Sequence, residues 1–422
     1  MKKGVKLRLT IHNILYEIHY HGKKLNDPDI KKKIDQNSKQ DISFIINVCL
    51  NSMRYYFHSK KIINQYVVKK LKRHDKIIFL SGITQLVFLG FKEYAVINST
   101  VEISKKLNIY HGFINAVLKN INKDKNYLKN TKINFDDLPE WFVKINSNLS
   151  KKDKNIFLNN FNKEPSQHIV FKNEKCLKKF ELELIKSSDI SGFVKNRKKI
   201  EEIPSFNNGS WWVQDFSSSF PLMNIKEKYL DGNVFDMCSA PGGKGFQVLS
   251  KNKNIVLNDI SKSRLFKLNE NLKRLKFKPK VTNYDGLKLS TNQTFDFIIL
   301  DSPCSGLGTI RKNPEILFKK REPDLEKLLK IQKKLLDKAS ILLNKNGKIL
   351  YMVCSFLNEE GVDQVENFLK RNNGFILEDF NLSRNYFNYK HLIKNNMMHT
   401  MPSTINGFNI DGYFAALIMK KN

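Results

Sequence analysis

Apolar residues recur with helical spacing through the first part of the chain. Leu7, Ile11, Ile14, Leu15 and Ile18 mark one face of a first helix. Further segments with helical apolar patterns are residues 44–57, a stretch that begins at Ile83, and residues 113–121. The alternation that is typical of strands is absent here, so the pattern predicts a compact all-α domain over residues 1–125.

Residues 126–210 follow a less regular pattern. They are rich in lysine and contain short apolar patches, of which Ile169, Val170 and Phe171 form one. Short apolar runs separated by polar stretches favour brief strands and turns over a large core. We therefore predict a linker with a small mixed subdomain.

Short apolar runs alternate with helical stretches from residue 211 to residue 422. The runs are residues 234–236, 255–259, 297–301 and 349–353, and helical periodicity fills 265–275 and 325–343. This alternation predicts an α/β domain with a doubly wound, mostly parallel sheet. Because such sheets bind ligands at the carboxyl ends of their strands, functional residues should lie directly after each run.

The net charge of the chain points to a polyanionic partner. The 422 residues include 73 Lys and Arg against 41 Asp and Glu, which gives a net charge of +32. A field of this sign attracts nucleic acid, the commonest large polyanion. The alternative explanation is a bias towards lysine and asparagine along the whole chain.

The chain contains five cysteines: Cys49, Cys176, Cys238, Cys304 and Cys354. None are spaced as in a zinc finger, so no metal is expected. The basic start of the chain is not followed by the apolar segment of a signal peptide, and no run approaches the roughly 18 apolar residues of a membrane span. We therefore expect reduced thiols, no membrane association and a cytoplasmic protein.

Two adjacent glycines, Gly242 and Gly243, follow the first apolar run of the α/β part. Glycine lets a ligand approach the backbone closely. The turn lacks the spacing of a phosphate-binding loop, so a nucleotide phosphate is not the evident ligand. The carboxylate of an amino-acid-like cofactor fits equally well.

Acidic residues stand at three successive strand ends. Asp236 ends the first run, and Asp259 follows about twenty residues later, where an acid can accept both hydroxyls of a ribose. Asp285 ends a third short segment and could reach an adenine amino group. A single aspartate is more often a helix cap or turn residue. Three of them in these positions favour a cofactor that carries adenosine.

An acid and two thiols follow the last two runs. Asp301 and Cys304 stand at the end of one strand, and Cys354 stands at the end of the next. A cysteine near a strand end is usually a small buried apolar residue. Two cysteines beside an acid instead suit methylation at C5 of cytosine. A thiolate that adds to C6 makes C5 nucleophilic, and an acid at ring nitrogen N3 stabilises the charge that develops. The C5 proton then needs a base, either the second thiol or a water that it positions.

At these residues the sequence resembles the RNA (cytosine-C5) methyltransferase family, and within it the bacterial 16S ribosomal RNA methyltransferases of the RsmB (Sun, Fmu) type. The motifs that carry the resemblance are Asp236-Met237-Cys238-Ser239-Ala240-Pro241-Gly242-Gly243-Lys244, residues 301–309, Val353-Cys354-Ser355, residues 213–218 and Asp411-Gly412-Tyr413-Phe414. Residues 82–86, 95–102 and 112–119 look like the NusB-like helical domain of these proteins, and residues 138–141 look like the segment that follows it.

The resemblance implies a Rossmann-like class I methyltransferase domain at 211–422, behind a NusB-like RNA-binding domain at 1–125 and a linker subdomain at 126–210. It implies S-adenosyl-L-methionine as cofactor, ribosomal RNA as partner, Cys354 as nucleophile and Cys304 as the residue that assists release. The implied cofactor contacts are Cys238, Ser239, Ala240, Pro241, Gly242, Gly243, Lys244, Asp259, Asp285 and Asp301.

Two other functions remain open at this stage. In one, Cys304 is the nucleophile, as the similar Pro-Cys motif of DNA cytosine methyltransferases suggests, although Cys354 has no counterpart there. In the other, the chain is an RNA-binding module with an inactive methyltransferase domain, although every reacting position is filled.

Overall fold

A computed structural model describes residues 2–180, 182–289, 293–319, 322–382 and 389–421. The chain divides into two compact units, residues 1–163 with 310–322 and residues 164–309 with 323–422. These limits differ from the predicted ones at 125 and 210. The helices between 126 and 163 belong to the first unit, and the strands between 164 and 210 belong to the second, because they pair with a strand at Trp211–Val213.

The first unit is helical throughout its described residues. Its α-helices are α1 (Lys3–His21), α2 (Pro28–Asp35), α3 (Lys39–Arg54), α4 (Tyr56–Tyr66), α5 (Arg73–Ile83), α6 (Glu93–Lys106), α7 (His111–Lys123), α8 (Lys125–Leu128), α9 (Glu140–Ile145), α10 (Lys151–Leu158) and, from residues 310–322, α15 (Glu315–Phe318). On α1, Ile11, Ile14, Leu15 and Ile18 are fully buried, as their helical spacing predicts. The predicted all-α domain is confirmed.

Two helix limits in this unit differ from the prediction. The stretch 44–57 is not one helix, since α3 ends at Arg54 and α4 begins at Tyr56. The helix expected to begin at Ile83 ends there, and a π-helical turn, Thr84–Phe88, follows it. The sequence pattern missed the helix before Ile83 because the run Ile77–Leu80 is buried on every side and therefore shows no amphipathic periodicity.

The second unit contains a small sheet and a large one. The small sheet consists of β1 (His168–Phe171), β2 (Leu184–Ser188), β3 (Ser191–Val194) and β4 (Trp211–Val213), in the antiparallel order β2-β3-β1-β4, with α11 (Glu174–Lys178) between β1 and β2. The remaining helices of the unit are α12 (Phe216–Met223), α13 (Gly243–Leu249), α14 (Lys262–Leu275), α16 (Leu325–Ile341) and α17 (Val362–Arg371).

The large sheet is mixed. Its strands are β5 (Val234–Asp236), β6 (Ile255–Asn258), β7 (Lys280–Thr282), β8 (Phe295–Asp301), β9 (Leu343–Val353), β10 (Phe375–Glu378), β11 (Ile393–Lys394), β12 (Met397–Thr400) and β15 (Tyr413–Lys420); β13 (Ser403–Ile405) and β14 (Phe408–Ile410) form a separate hairpin. The order is β11-β12-β15-β9-β8-β5-β6-β7, and β10 also pairs with β15. Strands β5 to β9 are parallel, as predicted, whereas β10, β11, β12 and β15 pair antiparallel and make the sheet mixed.

The central strands are buried on both faces. Phe297 and Ile299 of β8 pack in one apolar cluster, and Ile298 and Leu300 pack in the other. Successive side chains of a strand point to opposite faces, so a strand covered on both sides reads as a continuous apolar run. The parallel strands end at one edge, which gathers the residues that follow them. Among the described residues, no helix combines the length and apolarity needed to cross a membrane.

Candidate active site

Two thiols meet at the carboxyl ends of two adjacent parallel strands. β8 pairs with β9 so that Asp301 lies opposite Met352. Cys304 follows β8 after a short turn, and Cys354 follows β9 directly. Their sulfur atoms are 3.3 Å apart, and both side chains are partly buried. The structure therefore brings together two of the predicted catalytic residues.

The two thiols are not equivalent. The hydrogen bond with Cys354, followed by burial, raises the pKa of the Cys304 thiol well above its usual value. Cys304 thus keeps its proton at neutral pH, and a hydrogen bond joins the two sulfur atoms.

The loop that carries Cys304 is attached to its neighbours through the backbone. The Gly308 N–H donates to the carbonyl of Cys354 at 3.0 Å, and the Gly412 N–H donates to the carbonyl of Gly308 at 2.9 Å. A Cβ atom on residue 308 would lie 1.8 Å from the carbonyl oxygen of Gly412. Only glycine lets these three segments approach so closely.

The third predicted catalytic residue, Asp301, has two partners at the same edge. Its carboxylate forms an ion pair with Lys244, which comes from the turn after β5. Its other oxygen accepts a hydrogen bond from the Tyr413 hydroxyl at 3.0 Å. Burial and the neighbouring Asp301 charge raise the pKa of Tyr413 well above its usual value, so Tyr413 remains a donor. Asp301 is thereby held in one orientation.

The turn at Cys238–Lys244 is shaped by its glycines and by a buried glutamine. Gly242 has a φ of +115°, and a Cβ atom there would lie 2.2 Å from the ring of Phe246. A Cβ on Gly243 would approach the side chain of Gln214 to 3.1 Å. Gln214 itself donates a hydrogen bond to Gln247 at 2.8 Å, which fixes its side chain beside the turn. Glycine at positions 242 and 243 therefore lets the turn pack closely against Phe246 and Gln214.

Asp259 lies beside this turn but already has several partners. Its carboxylate accepts from the N–H of Ala240 at 3.2 Å and from that of Ser261 at 2.8 Å, and it pairs with Arg264 at 2.9 Å. Of these groups, the half-exposed guanidinium of Arg264 is the one that a ribose could replace. Asp285 uses one oxygen in a local turn, accepting from Leu287 N–H at 3.0 Å.

The side chain of Asn258 ties three strand ends together. It is fully buried and donates to the carbonyls of Met237 and Tyr284, both at 3.1 Å. Its oxygen accepts from the Thr282 hydroxyl at 2.9 Å and the Tyr284 N–H at 3.0 Å. The turn after β5 and the loop after β7 are thus fixed to β6 by one amide group.

Asp236 provides a buried carboxylate within the same region. It is 1% exposed, and neither oxygen makes a hydrogen bond of ordinary geometry to the described residues. Burial raises its pKa to about 8. A buried carboxyl group with a raised pKa takes its charged form more readily when a positively charged group lies beside it. With the turn, Asp259 and Asp285, it fits a cofactor that combines a cationic amino-acid part with a nucleoside.

The sequence did not identify Tyr413 and Asn258 as site residues. Tyr413 lies in the Asp411–Phe414 motif, and Asn258 directly precedes Asp259 at a strand end. Their places in a motif and at a strand end were therefore the sequence signals that could have identified them. Their roles depend on partners in distant segments, which a local pattern does not show.

Two family models match the chain. Residues 223–419 match the model described as 16S rRNA methyltransferase RsmB/F, and residues 5–123 match the NusB family. The two matched ranges lie in different parts of the chain and together cover most of it.

Curated relatives match over nearly their whole length. "Ribosomal RNA small subunit methyltransferase B" of Proteus mirabilis is 27% identical, over 100% of this chain and 100% of the relative. The protein of the same name from Photorhabdus laumondii is 28% identical over 88% of this chain and 91% of its own.

Solved structures share the fold. The crystal structure of PH0851 has a TM-score of 0.71 at 20% identity and covers 100% of this chain and 99% of its own. NSun6 from Pyrococcus horikoshii, solved with SFG, has a TM-score of 0.54 at 19% identity, over 66% of this chain and 97% of its own. The predicted arrangement, an all-α NusB-like domain ahead of a class I methyltransferase domain, is confirmed.

Proposed function

Since the chain belongs to the RsmB/F family of S-adenosylmethionine-dependent 16S rRNA methyltransferases and carries a NusB-family domain, we propose that it methylates C5 of a cytosine in 16S rRNA with Cys354 as nucleophile. The observation that carries this proposal is the 3.3 Å separation of the Cys304 and Cys354 sulfurs next to Asp301. Ribosomal RNA is then the partner and the cytoplasm the place of action.

S-adenosylmethionine supplies an electrophilic methyl group. The residues that would hold it are those of the turn Cys238–Lys244 together with Asp259, Asp285 and Asp301. Asp236 is buried beside this turn, and a cationic group bound next to it would favour its charged form. For Asp259 to accept ribose hydroxyls, Arg264 has to give up its place on the carboxylate.

Cys354 attacks as the thiolate. A sulfur–carbon bond forms at C6 of cytosine, and the electrons of the C5–C6 double bond move to C5, which would take the methyl group and leave the cofactor as S-adenosylhomocysteine. The C5 proton then leaves to a water that Cys304 positions, or to Cys304 itself after its own proton has passed to solvent. The bond between sulfur and C6 breaks as the ring regains its double bond. One methyl group enters the RNA, and one proton is released overall.

Asp301 orients the ring edge while charge builds up at N3. Its ion pair with Lys244 and its hydrogen bond from Tyr413 keep the carboxylate fixed before the reaction begins. Groups that are oriented in advance need no reorganisation as charge develops. Lys244 also brings a positive charge to the edge where electron density accumulates during addition.

The cysteines give the direct test. Cys354→Ala should lower methyl transfer to 16S rRNA to background, because no sulfur remains to attack C6. Cys304→Ala should form the adduct but release it slowly, so that RNA stays covalently attached and appears as a shifted band on denaturing gels. Cys176→Ala, in the small subdomain, is the matched control and should behave as wild type. Bisulfite mapping identifies the C5 product.

The reverse pattern would assign the nucleophile differently. Covalent trapping by Cys354→Ala, with no turnover by Cys304→Ala, would make Cys304 the attacking residue. If the wild-type protein gave no heat with S-adenosylmethionine in calorimetry, the chain would instead be an RNA-binding module with an inactive methyltransferase domain.

A further inference from the structure

Glu360 is a buried carboxylate to which the mechanism above gives no role. It ends a 3-10 turn, Asn358–Glu360, ahead of α17, and it is fully buried. Removing a carboxylate from water is costly unless hydrogen-bond donors replace the lost solvent. The donors that surround Glu360 therefore indicate what its burial stabilises.

The donors come from the loop that carries Cys304. One oxygen of Glu360 accepts from the Ser305 N–H at 2.7 Å, and the other accepts from the Ser305 hydroxyl at 2.5 Å. Gln332 donates to Glu360 at 3.0 Å and to the carbonyl of Pro303 at 3.0 Å. The residues on both sides of Cys304 are thus fixed by one carboxylate and one amide.

The same network reaches Cys354. The hydroxyl of Ser305 lies 3.3 Å from that of Ser355, the residue directly after Cys354. Ser355 in turn accepts from the Leu357 N–H at 3.2 Å. The backbone carbonyl of Glu360 accepts from the buried Tyr351 hydroxyl at 2.7 Å, which fixes the backbone of Glu360 to β9.

From these contacts we propose that Glu360 is a positioning residue that sets the Cys304 thiol against Cys354, acting through Ser305. The inference rests on the proposed function, because it assigns Glu360 to the step in which Cys304 assists release. Hydrogen bonds to a charged group contribute more than those between neutral groups, so this carboxylate holds the loop more firmly than an amide would.

The first measurement is the distance between the thiols. Dibromobimane links two thiols that lie side by side, and mass spectrometry of the digested protein quantifies the Cys304–Cys354 link. The wild-type protein should give this link in high yield. Glu360→Gln should reduce its yield several-fold, because the amide group cannot accept both hydrogen bonds from Ser305. Glu359→Gln, the neighbouring partly exposed glutamate, is the matched control and should match wild type.

The second measurement is release of the RNA adduct. Glu360→Gln should lower turnover by about 10- to 100-fold, the range expected for lost hydrogen bonds to a charged group. Like Cys304→Ala, it should accumulate covalently bound RNA. A residue with a purely structural role would lower adduct formation and release together. Ser305→Ala removes the hydroxyl link and should show the same trapping, which keeps the test valid if Glu360→Gln does not fold.

The outcomes separate the two proposals. Suppose that Cys304→Ala traps RNA. If Glu360→Gln and Ser305→Ala are folded and both give the wild-type yield of the Cys304–Cys354 cross-link and the wild-type rate of RNA release, the role of Glu360 is refuted and the proposed function stands. If Cys304→Ala traps nothing, the proposed function fails. An unchanged link yield in both variants refutes the positioning role whether or not the enzyme is active.

Discussion

The sulfur atoms of Cys304 and Cys354 lie 3.3 Å apart, although 50 residues separate them in the sequence. The parallel pairing of β8 with β9 brings the two segments to the same edge of the sheet. The hydrogen bond from the Gly308 N–H to the carbonyl of Cys354 then determines how closely the loop after β8 approaches the end of β9. The arrangement of the thiols therefore depends on residues that do not react, and each of these can be tested.

Tyr413→Phe should lower turnover by about 10- to 100-fold and leave the fold intact. The substitution removes the hydrogen bond to Asp301 and keeps the ring in the core, and a bond to a charged group contributes about 1.5–3 kcal/mol. Single-turnover methyl transfer measures the effect. Tyr229→Phe, which loses a hydrogen bond to a different carboxylate, Glu378, is the control. Equal rates of methyl transfer for the two variants would show that the Tyr413 hydroxyl has no role in the reaction.

Asn258→Ala should weaken both the fold and cofactor binding. It removes four hydrogen bonds that join three strand ends, one of them buried and three partly buried, so the free energy of unfolding should fall by roughly 2–4 kcal/mol. S-adenosylmethionine should bind about tenfold more weakly, since the turn after β5 and the loop after β7 lose their common anchor. Urea unfolding and calorimetry measure the two effects, with the exposed Asn373→Ala as control. If Asn258→Ala bound S-adenosylmethionine as tightly as wild type does, Asn258 would have a structural role alone.

Gly308→Ala should disrupt the apposition of the thiols. The added methyl group would lie 1.8 Å from the Gly412 carbonyl oxygen, so the backbone has to move, at a cost of roughly 1–3 kcal/mol. Turnover should fall by more than the loss of stability explains, because Cys304 lies on the displaced loop. Thermal unfolding and activity are measured side by side. Gly374→Ala, where the new methyl group meets open space, should change neither; normal activity of Gly308→Ala would contradict the prediction.

Asp236→Asn should stabilise the cofactor-free protein, and increasingly so as pH rises. Burial raises the pKa of Asp236 to about 8, so the folded protein keeps a proton that the unfolded chain loses near pH 4. The stability that this proton contributes is complete below about pH 4 and is lost as pH rises through about 8. Asparagine has no charge to bury, and its advantage should therefore grow between pH 5 and pH 8.

Urea unfolding of both proteins at pH 5, 6.5 and 8 checks this dependence. A difference in unfolding free energy that does not change with pH would mean that Asp236 is ionised throughout. The same variant should bind S-adenosylmethionine more weakly at pH 8, because the cationic cofactor loses a carboxylate partner. Stronger binding would show that Asp236 does not face the cofactor.

Local periodicity was sufficient to predict the two kinds of architecture and the positions of the candidate residues. Helical spacing around Ile11 and Ile18 predicted a helix, and the apolar run that ends at Asp301 predicted a strand of a parallel sheet. Both signals are properties of neighbouring residues, since a helix or strand repeats its geometry every few positions. The expectation that reactive residues follow strand ends also came from local apolar runs, because these runs showed where each strand ends.

Only the tertiary structure decided which of these residues meet. The hydrogen bonds of Asn258, Tyr413 and Glu360 join segments that are far apart in sequence, and no periodic pattern encodes such partners. The antiparallel half of the large sheet and the division after residue 163 also depend on long-range pairing. A sequence pattern shows whether a side chain is buried, whereas the contact it makes there depends on how the strands are ordered in space.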